Sequence, residues 1–505
     1  MRELATRLGV NPNTVAAAYR TLRERGVIET AGRRGSRVRP KPATTARDAI
    51  RVEVPEGVRD VSDGNPDPAL LPPLAEAFAA AAGLGDREPV LYGHAPVEPG
   101  LARLARAGLD ADGVPDGPVV VTSGSLDAVE RVLAAHLRPG DAVAVEDPGW
   151  GSVLDLVPAL GLRTVPVGVD DEGPLPGEVR RALAGGARAL IVTDRAQNPT
   201  GAALSADRAR ALRSVLADHP ETLLIEDDHG HHIVDLPLHP LAGTTRSWAF
   251  VRSAAKAYGP DLRLAVLTGD AVTLDRVRGR QRLGPGWVSR LVQRAVVRLW
   301  TDGAVDPAAV AAAYGRRRDA LIGTLARRGI AAYGRSGMNV WVPVPDETGA
   351  VARLLHAGWA VAPGARFRMS APPGIRVTVS TLTQDETELL GEAIASGART
   401  GRGAVEDVRL AGGCLRPEVA ADGRGGSAAR AAAEGGGARP AAEGGGARPA
   451  AGAGAVYAVL LGPAWVSAAP ASTITAPTGV DQTSVSPRST TPAAAAITGM
   501  KYVTI

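Results

Sequence analysis

Lys256 stands in the run Ser253-Ala-Ala-Lys-Ala-Tyr-Gly-Pro260, among small apolar residues. An amine packed against Ala254, Ala255 and Ala257 loses hydration, which lowers its pKa and makes its lone pair available to an aldehyde as a Schiff-base nucleophile. Ser253 precedes it by three residues and Arg263 follows by seven. A hydroxyl donor and a bidentate guanidinium are the groups that clamp a phosphate. An aldehyde-seeking lysine beside a phosphate clamp points to pyridoxal 5'-phosphate (PLP). A surface lysine ahead of a Gly259-Pro260 turn has the same spelling, so the order of the other pieces carries the argument.

Those pieces lie at the ends of short apolar runs. Residues 118–122 read as a buried strand that enters Ser123-Gly-Ser-Leu126 and then a helix over 127–136. The backbone N–H groups of Gly124, Ser125 and Leu126 would then face an anion from a helix N-terminus. A second strand, 141–145, ends in Glu146-Asp-Pro-Gly-Trp150, where the Trp150 ring can stack on a flat cofactor. Strand 189–193 leads to Gln197-Asn-Pro-Thr-Gly201, and strand 222–226 to Asp227-Asp-His229. The Asn198 amide can hydrogen-bond a phenolic oxygen, and a buried Asp227 can pair with a pyridine nitrogen and keep it protonated. Ordinary packing also accounts for each piece taken singly. From about residue 90 apolar runs alternate with helix-like stretches, the pattern of an α/β domain with a mostly parallel sheet.

A chain of 505 residues exceeds one core and implies two or more domains. Hydrophobic residues make up 45% of it, enough for a large core. No run of about 18 uninterrupted apolar residues marks a membrane span. The start, Met1-Arg-Glu-Leu-Ala5, lacks an apolar signal core, and Cys414 is a single cysteine, so a cytoplasmic location is expected. The net charge of +4 is uneven: residues 1–41 hold ten Lys/Arg against three Asp/Glu, so +7 sits there and −3 is left for the rest. A compact basic head suggests nucleic acid.

Within that head, residues 2–8 read as a short helix and Gly9-Val10 as a turn. Asn11 can cap a second helix, Pro12 suits its first turn, and Val15, Ala18, Tyr19 and Leu22 recur at helical spacing up to Gly26. Two strands, 27–30 and 36–38, then flank a basic turn, giving a winged helix-turn-helix over 1–40. The second helix would set Asn11, Asn13 and Thr14 near base edges or phosphates of a DNA operator, with Arg33 and Arg34 of the wing on the backbone or in the minor groove. Residues 41–60 read as a linker, 61–397 as the α/β domain, and 398–505 as a low-complexity, disordered tail in which Ala-Glu-Gly-Gly-Gly-Ala-Arg-Pro repeats.

Leu8-Gly-Val-Asn-Pro-Asn-Thr-Val15, with Ala18-Tyr19, Leu22 and Gly26, resembles the GntR-type winged helix, which has a further helix upstream, so the DNA-binding unit is expected to be N-terminally incomplete. The order Ser-Gly-Ser, Glu-Asp-Pro-Gly-aromatic, Asn-Pro-Thr-Gly, Asp-Asp, Ser-x-x-Lys, Arg resembles the class I aminotransferases of fold type I. Together, over roughly residues 1–397, the chain resembles the MocR/GabR-type regulators, in which a winged helix precedes an aminotransferase-like PLP domain.

The resemblance implies a PLP-dependent transferase fold type I, a large α/β domain with a small C-terminal α+β subdomain. It makes Lys256 the catalytic Schiff-base lysine, Asp227 the pyridine-nitrogen partner and Asn198 the partner of the O3′ oxygen. Ser125, Leu126, Ser253 and Arg263 become phosphate ligands, and Trp150 the stacking ring. Tyr92, in Leu-Tyr-Gly93, would reach the phosphate of the other subunit's cofactor in a homodimer, and Arg376 would hold a substrate α-carboxylate. His229 stands where the family often has Tyr; it is expected to donate to O3′ while titrating near neutral pH. A helix around 287–316 should link to small-domain strands at 336–343 and 360–364, and the stretch between Tyr92 and Val119 reads as shorter than the family's usual helix there. The spacing of His229, His231 and His232 matches no usual metal site, and no metal is expected. Two functions fit: a DNA-binding regulator whose PLP domain senses an amine, an amino acid or PLP, and an aminotransferase that turns over behind a vestigial head.

Overall fold

Residues 2–24, 28–30, 35–38, 46–50 and 52–400 are described in the computed structural model. All of them fall in the first of two compact units, Met1–Ala411 and Gly412–Ile505. The tail read from residue 398 therefore lies outside the described residues from 401 onward; its first three residues continue the helix Gln384–Thr400.

At the N-terminus a helix, Arg2–Leu8, turns at Gly9, where φ is +63°, into a second helix, Pro12–Glu24. Asn11 caps that helix: its Oδ1 accepts the N–H of Asn13 at 2.8 Å, satisfying one of the donors a helix start leaves open. Ala5 and Val15 are the buried residues between the two helices. Strands β1 (Ile28–Thr30) and β2 (Ser36–Val38) pair antiparallel, Ile28 opposite Val38. Arg33 and Arg34 lie outside the described residues.

The stretch read as a linker is tied down at both ends of its described part. The Arg47 N–H donates to Asp155 Oδ2 at 2.5 Å, and its Nη1 donates to the carbonyls of Ala365 and Arg368 at 3.1 and 3.0 Å. Residues Arg59–Asp60 form a strand, β3, so the small domain begins inside the expected linker.

Eight strands build the central sheet: β4 (Val119–Thr122), β5 (Ala142–Asp147), β6 (Arg163–Asp170), β7 (Gly173–Pro174), β8 (Ala187–Thr193), β9 (Leu223–Asp228), β10 (Ser247–Ser253) and β11 (Ala265–Gly269). Their spatial order is β4-β11-β10-β9-β8-β5-β6-β7. Pairs β10/β9, β9/β8, β8/β5 and β5/β6 are parallel; β11 runs against both its neighbours and β7 against β6. The apolar runs alternate faces: Ala142, Ala144, Leu190, Val192, Leu224 and Phe250 enter one core, while Val143, Val145, Ala189, Ile191, Ile225 and Val251 enter the other. Burial on both faces is why these strands read as near-continuous apolar runs.

Three boundaries differ from the sequence reading. The helix after β4 starts at Ser125, not 127, because Gly124 at φ +100° makes the turn in a single residue. Strand β9 runs through Asp228, so both aspartates belong to the sheet edge. The linking helix is two helices, Arg290–Thr301 and Pro307–Arg327; Asp306 accepts the N–H groups of Ala308 and Ala309, and Pro307 occupies a first-turn position that needs no N–H. Between Tyr92 and Val119 a full helix, Pro99–Ala111, packs Leu101, Ala105 and Leu109 into the core.

The small domain holds β12 (Asn339–Pro343), β13 (Trp359–Ala360), β14 (Ala362–Pro363) and β15 (Gly374–Thr378). Strands β12, β15 and β14 form an antiparallel sheet, and β13 pairs parallel with β3, Trp359 opposite Arg59. No helix among the described residues is long and apolar enough to cross a membrane.

Behind β9, the fully buried Asp228 accepts from Arg195 Nε at 3.0 Å and Nη2 at 2.8 Å, and from Arg252 Nε at 3.1 Å. The two guanidiniums hold its carboxyl far below the ordinary range although burial alone would raise it. Asp228→Ala leaves both buried cations without this partner and should cost about 3–5 kcal/mol. Asp306→Ala removes only a helix cap and should cost about 1 kcal/mol. Urea unfolding with unchanged slope and these two midpoint shifts checks the ranking.

Candidate functional site

Parallel strands bring their carboxyl ends to one edge of a sheet, where loops and helix starts can face a ligand. There β4, β5, β8, β9 and β10 open onto a cleft of about 340 Å³. Of the expected cofactor and substrate residues, Ser125, Leu126, Trp150, Asn198, Asp227, His229, Ser253, Lys256, Arg263 and Arg376 line it. Tyr92 does not; it is 92% exposed, its ring set edge-on to Trp287 at 5.7 Å.

One end of the cleft is an anion cradle. Gly124 is required there twice over, because its φ is +100° and because a Cβ would meet Arg263 Nη2 at 2.9 Å. Ser125 follows as the first helical residue, its Oγ buried with no hydrogen-bond partner. Ser253 Oγ accepts the N–H of Ala255 at 3.2 Å, which leaves its own hydroxyl hydrogen to donate. Arg263, in the left-handed region at φ +42°, donates to the Ser123 carbonyl at 3.2 Å and points its guanidinium at the same turn.

The middle holds the lysine and the carboxylate. Lys256 lies in the short helix Ala255–Tyr258, and its Nζ donates to the Gly64 carbonyl at 2.8 Å. Burial, and after it the positive charge of Arg376, pushes the amine down to about 8. Successive strand residues face opposite ways. Asp227 therefore faces the cleft while Asp228 faces the arginine pair behind the sheet. Asp227 Oδ2 is 3.1 Å from His229 Nδ1, and Asp227 Oδ1 is buried with no partner.

His229 departs from its expected role. Nε2 is 2.7 Å from the Ala196 carbonyl and Nδ1 is on Asp227, so both ring nitrogens are committed and neither is left for O3′. Burial would lower its pKa, but the Asp227 carboxylate outweighs that and holds it above the ordinary value. Both neighbours of the ring are acceptor oxygens, so the histidine acts through Asp227 rather than on a ligand. Further along, His231 and His232 stack at 3.7 Å and His232 Nδ1 meets Tyr258 OH at 2.8 Å, outside the cleft lining.

The far end is cationic. Arg376, on β15 and 2% exposed, donates from Nη1 to Asn198 Oδ1 at 3.0 Å and from Nη2 to the Ser62 carbonyl. A guanidinium only donates, so the Asn198 oxygen faces Arg376 and its amide N–H groups remain for another acceptor. The sequence reading missed Gly64, Ser62 and Arg366 as parts of this wall. Asp63-Gly-Asn-Pro66 marks a domain start, which conceals that its carbonyls hold site residues; Arg366 follows a Pro-Gly turn with no spacing to the lysine motif.

The donor set fits PLP. An acceptor, Asp227 Oδ1, and a hydroxyl, Ser125 Oγ, are buried without partners in the two places where a pyridine N–H and a phosphate need them. Of the DNA-facing residues expected, Asn11 and Asn13 are exposed and Thr14 half-buried at the start of the second helix.

Residues 60–394 match the family model Aminotransferase class I and II. The vitamin B6 salvage pathway transcriptional repressor PtsJ of Salmonella typhimurium is 42% identical over 400 residues, 78% of this chain and 91% of that protein. The HTH-type pyridoxine biosynthesis transcriptional regulator PdxR of Corynebacterium glutamicum is 33% identical over 253 residues, 48% of this chain and 53% of that one. The structure of aspartate aminotransferase from Thermus thermophilus with maleate aligns with a TM-score of 0.60 at 26% identity, covering 70% of this chain and 93% of it.

Only the neutral amine of Lys256 attacks an aldehyde. With the amine near 8 rather than 10.5, the rate at which PLP-free protein takes up PLP should rise with pH and level off above about 8. Visible absorbance gained on mixing checks this; Lys256→Ala should gain none, and a rate still climbing steeply above pH 9 would contradict the lowered value.

Proposed function

The chain belongs to the aminotransferase class I and II family, among its MocR/GabR-type regulators, and on that premise we propose a cytoplasmic, DNA-binding transcription regulator that senses an amine, an amino acid or PLP. PLP is its cofactor. The observation that carries the regulatory reading is Arg47. It lies between the basic head and the PLP domain, and it bonds to the carbonyls of Ala365 and Arg368, which flank Arg366 and Phe367 of the cleft wall. A change in the cleft wall thus has a direct mechanical path to the segment that leads to the head.

In this reading residues 1–40 are the winged helix-turn-helix, residues from about 61 to 397 the PLP domain, and two copies form a homodimer in which the exposed Tyr92 serves the neighbour's cofactor. Bound PLP supplies an electrophilic carbon and an electron-accepting ring. Ser125, the Leu126 N–H, Ser253 and Arg263 would hold its phosphate, Trp150 would pack against its ring, and Lys256 would offer its amine as the nucleophile toward the aldehyde. Asp227, hydrogen-bonded to His229, would hold the ring N–H, and the Asn198 amide would donate to O3′. Arg376 anchors the carboxylate of an incoming amino acid. A second reading, turnover as an aminotransferase, is favoured by the lowered pKa of Lys256, which suits a group that gives and takes protons near neutral pH.

Binding of upstream intergenic DNA to the full chain, followed by fluorescence anisotropy with and without PLP, separates the readings. Operator affinity should exceed that for random DNA and should change with PLP. Arg47→Ala should keep the visible absorbance of bound PLP and lose the PLP-dependent change in DNA affinity. Arg33→Ala and Arg34→Ala should each reduce the salt slope by about one unit if they contact phosphates. Removing Asn13 or Thr14 should narrow the gap between operator and random DNA by roughly 1–3 kcal/mol. No preference for operator, with amino-group transfer to a keto acid intact, would reject the regulator in favour of the enzyme.

A further inference from the structure

We propose that His232 is a positioning residue for Lys256, acting through the hydroxyl of Tyr258. This rests on the reading of Lys256 as the lysine that takes up PLP. Lys256 lies in a helix of four residues, Ala255–Tyr258, which ends at Gly259 with φ at +119°. One helical turn does not hold itself together, so side chains decide how it sits. Ala255 and Ala257 offer only methyl groups, which leaves Tyr258 as the anchor. Tyr258 is 3% exposed, its ring centre 5.8 Å from that of His232 and 6.4 Å from that of Trp300. Its hydroxyl is 2.8 Å from His232 Nδ1.

Two residues apart on a helix, Lys256 and Tyr258 point about 200° away from each other. The amine therefore faces the cleft while the phenol faces the packing behind it, where Tyr258 belongs to a buried core cluster and not to the cleft lining. A buried phenol needs a partner for its hydroxyl, and a shift of that partner turns the helix and carries Lys256 Nζ off the Gly64 carbonyl. The bond does not depend on charge. Burial pushes the phenol up to about 12, and burial together with Arg252 and then Arg195 pushes the His232 imidazole down to about 4, so both stay neutral at working pH. Asp228 and Asp112, the carboxylates that face the imidazole, do not reverse this.

His232 is itself held in an uncommon conformation. Its φ is +64°, in the left-handed region that residues other than glycine seldom adopt, and such backbone persists where its surroundings fix it. Here the Ile233 N–H donates to the Gly230 carbonyl at 3.1 Å, the His231 ring stacks on that of His232 with centres 3.7 Å apart, and a Cβ on Gly230 would meet Arg195 Cβ at 2.8 Å. The same loop carries His229, which bonds to Asp227 at its other end. The stretch from Asp227 to His232 thus sets both the carboxylate that faces the cleft and, through Tyr258, the lysine.

Acylation of Lys256 by acetic anhydride in the PLP-free full chain, followed by mass spectrometry from about pH 6 to 10 with Lys41 and Lys501 as references, reports where the amine sits. PLP uptake, followed by visible absorbance, is measured beside it. In the unaltered protein the acylation midpoint should lie at about 8. Tyr258→Phe and His232→Phe each remove the bond and keep a ring. Each should raise that midpoint by roughly one pH unit as the amine regains water, and slow PLP uptake at pH 7 roughly tenfold. The double variant should be no slower than either single one, because the same bond is lost in all three. His232→Asn sets an amide near the place of Nδ1 and tolerates a left-handed backbone, so it should recover most of the uptake rate. A lowered urea midpoint with an unmoved acylation midpoint and unchanged uptake marks a merely structural contact and overturns the proposal, as do additive losses in the double variant. If His232→Phe does not fold, Tyr258→Phe, which loses a single oxygen, decides alone. Unaltered protein that gains no visible absorbance with PLP would reject the cofactor reading, while the acylation midpoints, measured without PLP, still decide whether His232 positions the amine.

Discussion

Backbone carbonyls hold the cations of this cleft. Lys256 donates to Gly64, Arg366 and Arg376 to Ser62, Arg263 to Ser123, and His229 to Ala196. A carbonyl can orient a cation but has no net charge with which to cancel it. Positioning by carbonyls thus aims these groups before a ligand arrives. The lowered pKa of Lys256 follows from the same arrangement: burial and the charge of Arg376 act on an amine whose own partner is neutral.

That cleft depends on the register of the central sheet. Asp227 and Asp228 are adjacent in sequence and opposite in function because β9 alternates faces. Asp228 is bound to Arg195 and Arg252, which fixes which face is which. A shift of one residue would bring the paired carboxylate into the cleft and bury Asp227 among guanidiniums. The parallel pairing Val251 to Asp227 then sets the Lys256 helix, which follows the end of β10, beside the carboxylate.

Much of this was legible in the sequence wherever one strand carries its own site residue at its end. Asn198, Asp227, Ser253 and Lys256 could each be placed that way, and so could the helix start at Ser125, within two residues. The asparagine cap at Asn11 was equally local. What the sequence concealed comes from contacts between distant segments. Ser62 and Gly64 act through carbonyls that any residue type has, so no side chain announces them. Arg366 reaches the cleft only because the small domain folds back, and its neighbours Ala365 and Phe367 give it no chemical signature. His229 reads as a donor to a ligand until Ala196, 33 residues earlier in the chain, is seen to occupy its second nitrogen.

The stretch from Arg59 to Gly64 shows why a segment read as a spacer is better understood as a coupling element. The Val61 N–H donates to the Ala360 carbonyl and its own carbonyl accepts from Thr378, both at 2.9 Å, which stitches it to β13 on one side and to β15 on the other. Arg376 lies two residues before Thr378 on β15 and contacts Ser62, the residue after Val61. Gly64, at φ +72° and with only 3.1 Å between a would-be Cβ and Arg376 Nη1, then delivers its carbonyl to Lys256 in the large domain. Arg376, Lys256 and the small-domain strands are therefore joined through six consecutive residues, and Arg47 ties the chain just upstream to the turn that carries Arg366. The carbonyl that orients Lys256 and the one that accepts from Arg376 thus belong to one short stretch of backbone, Ser62 to Gly64.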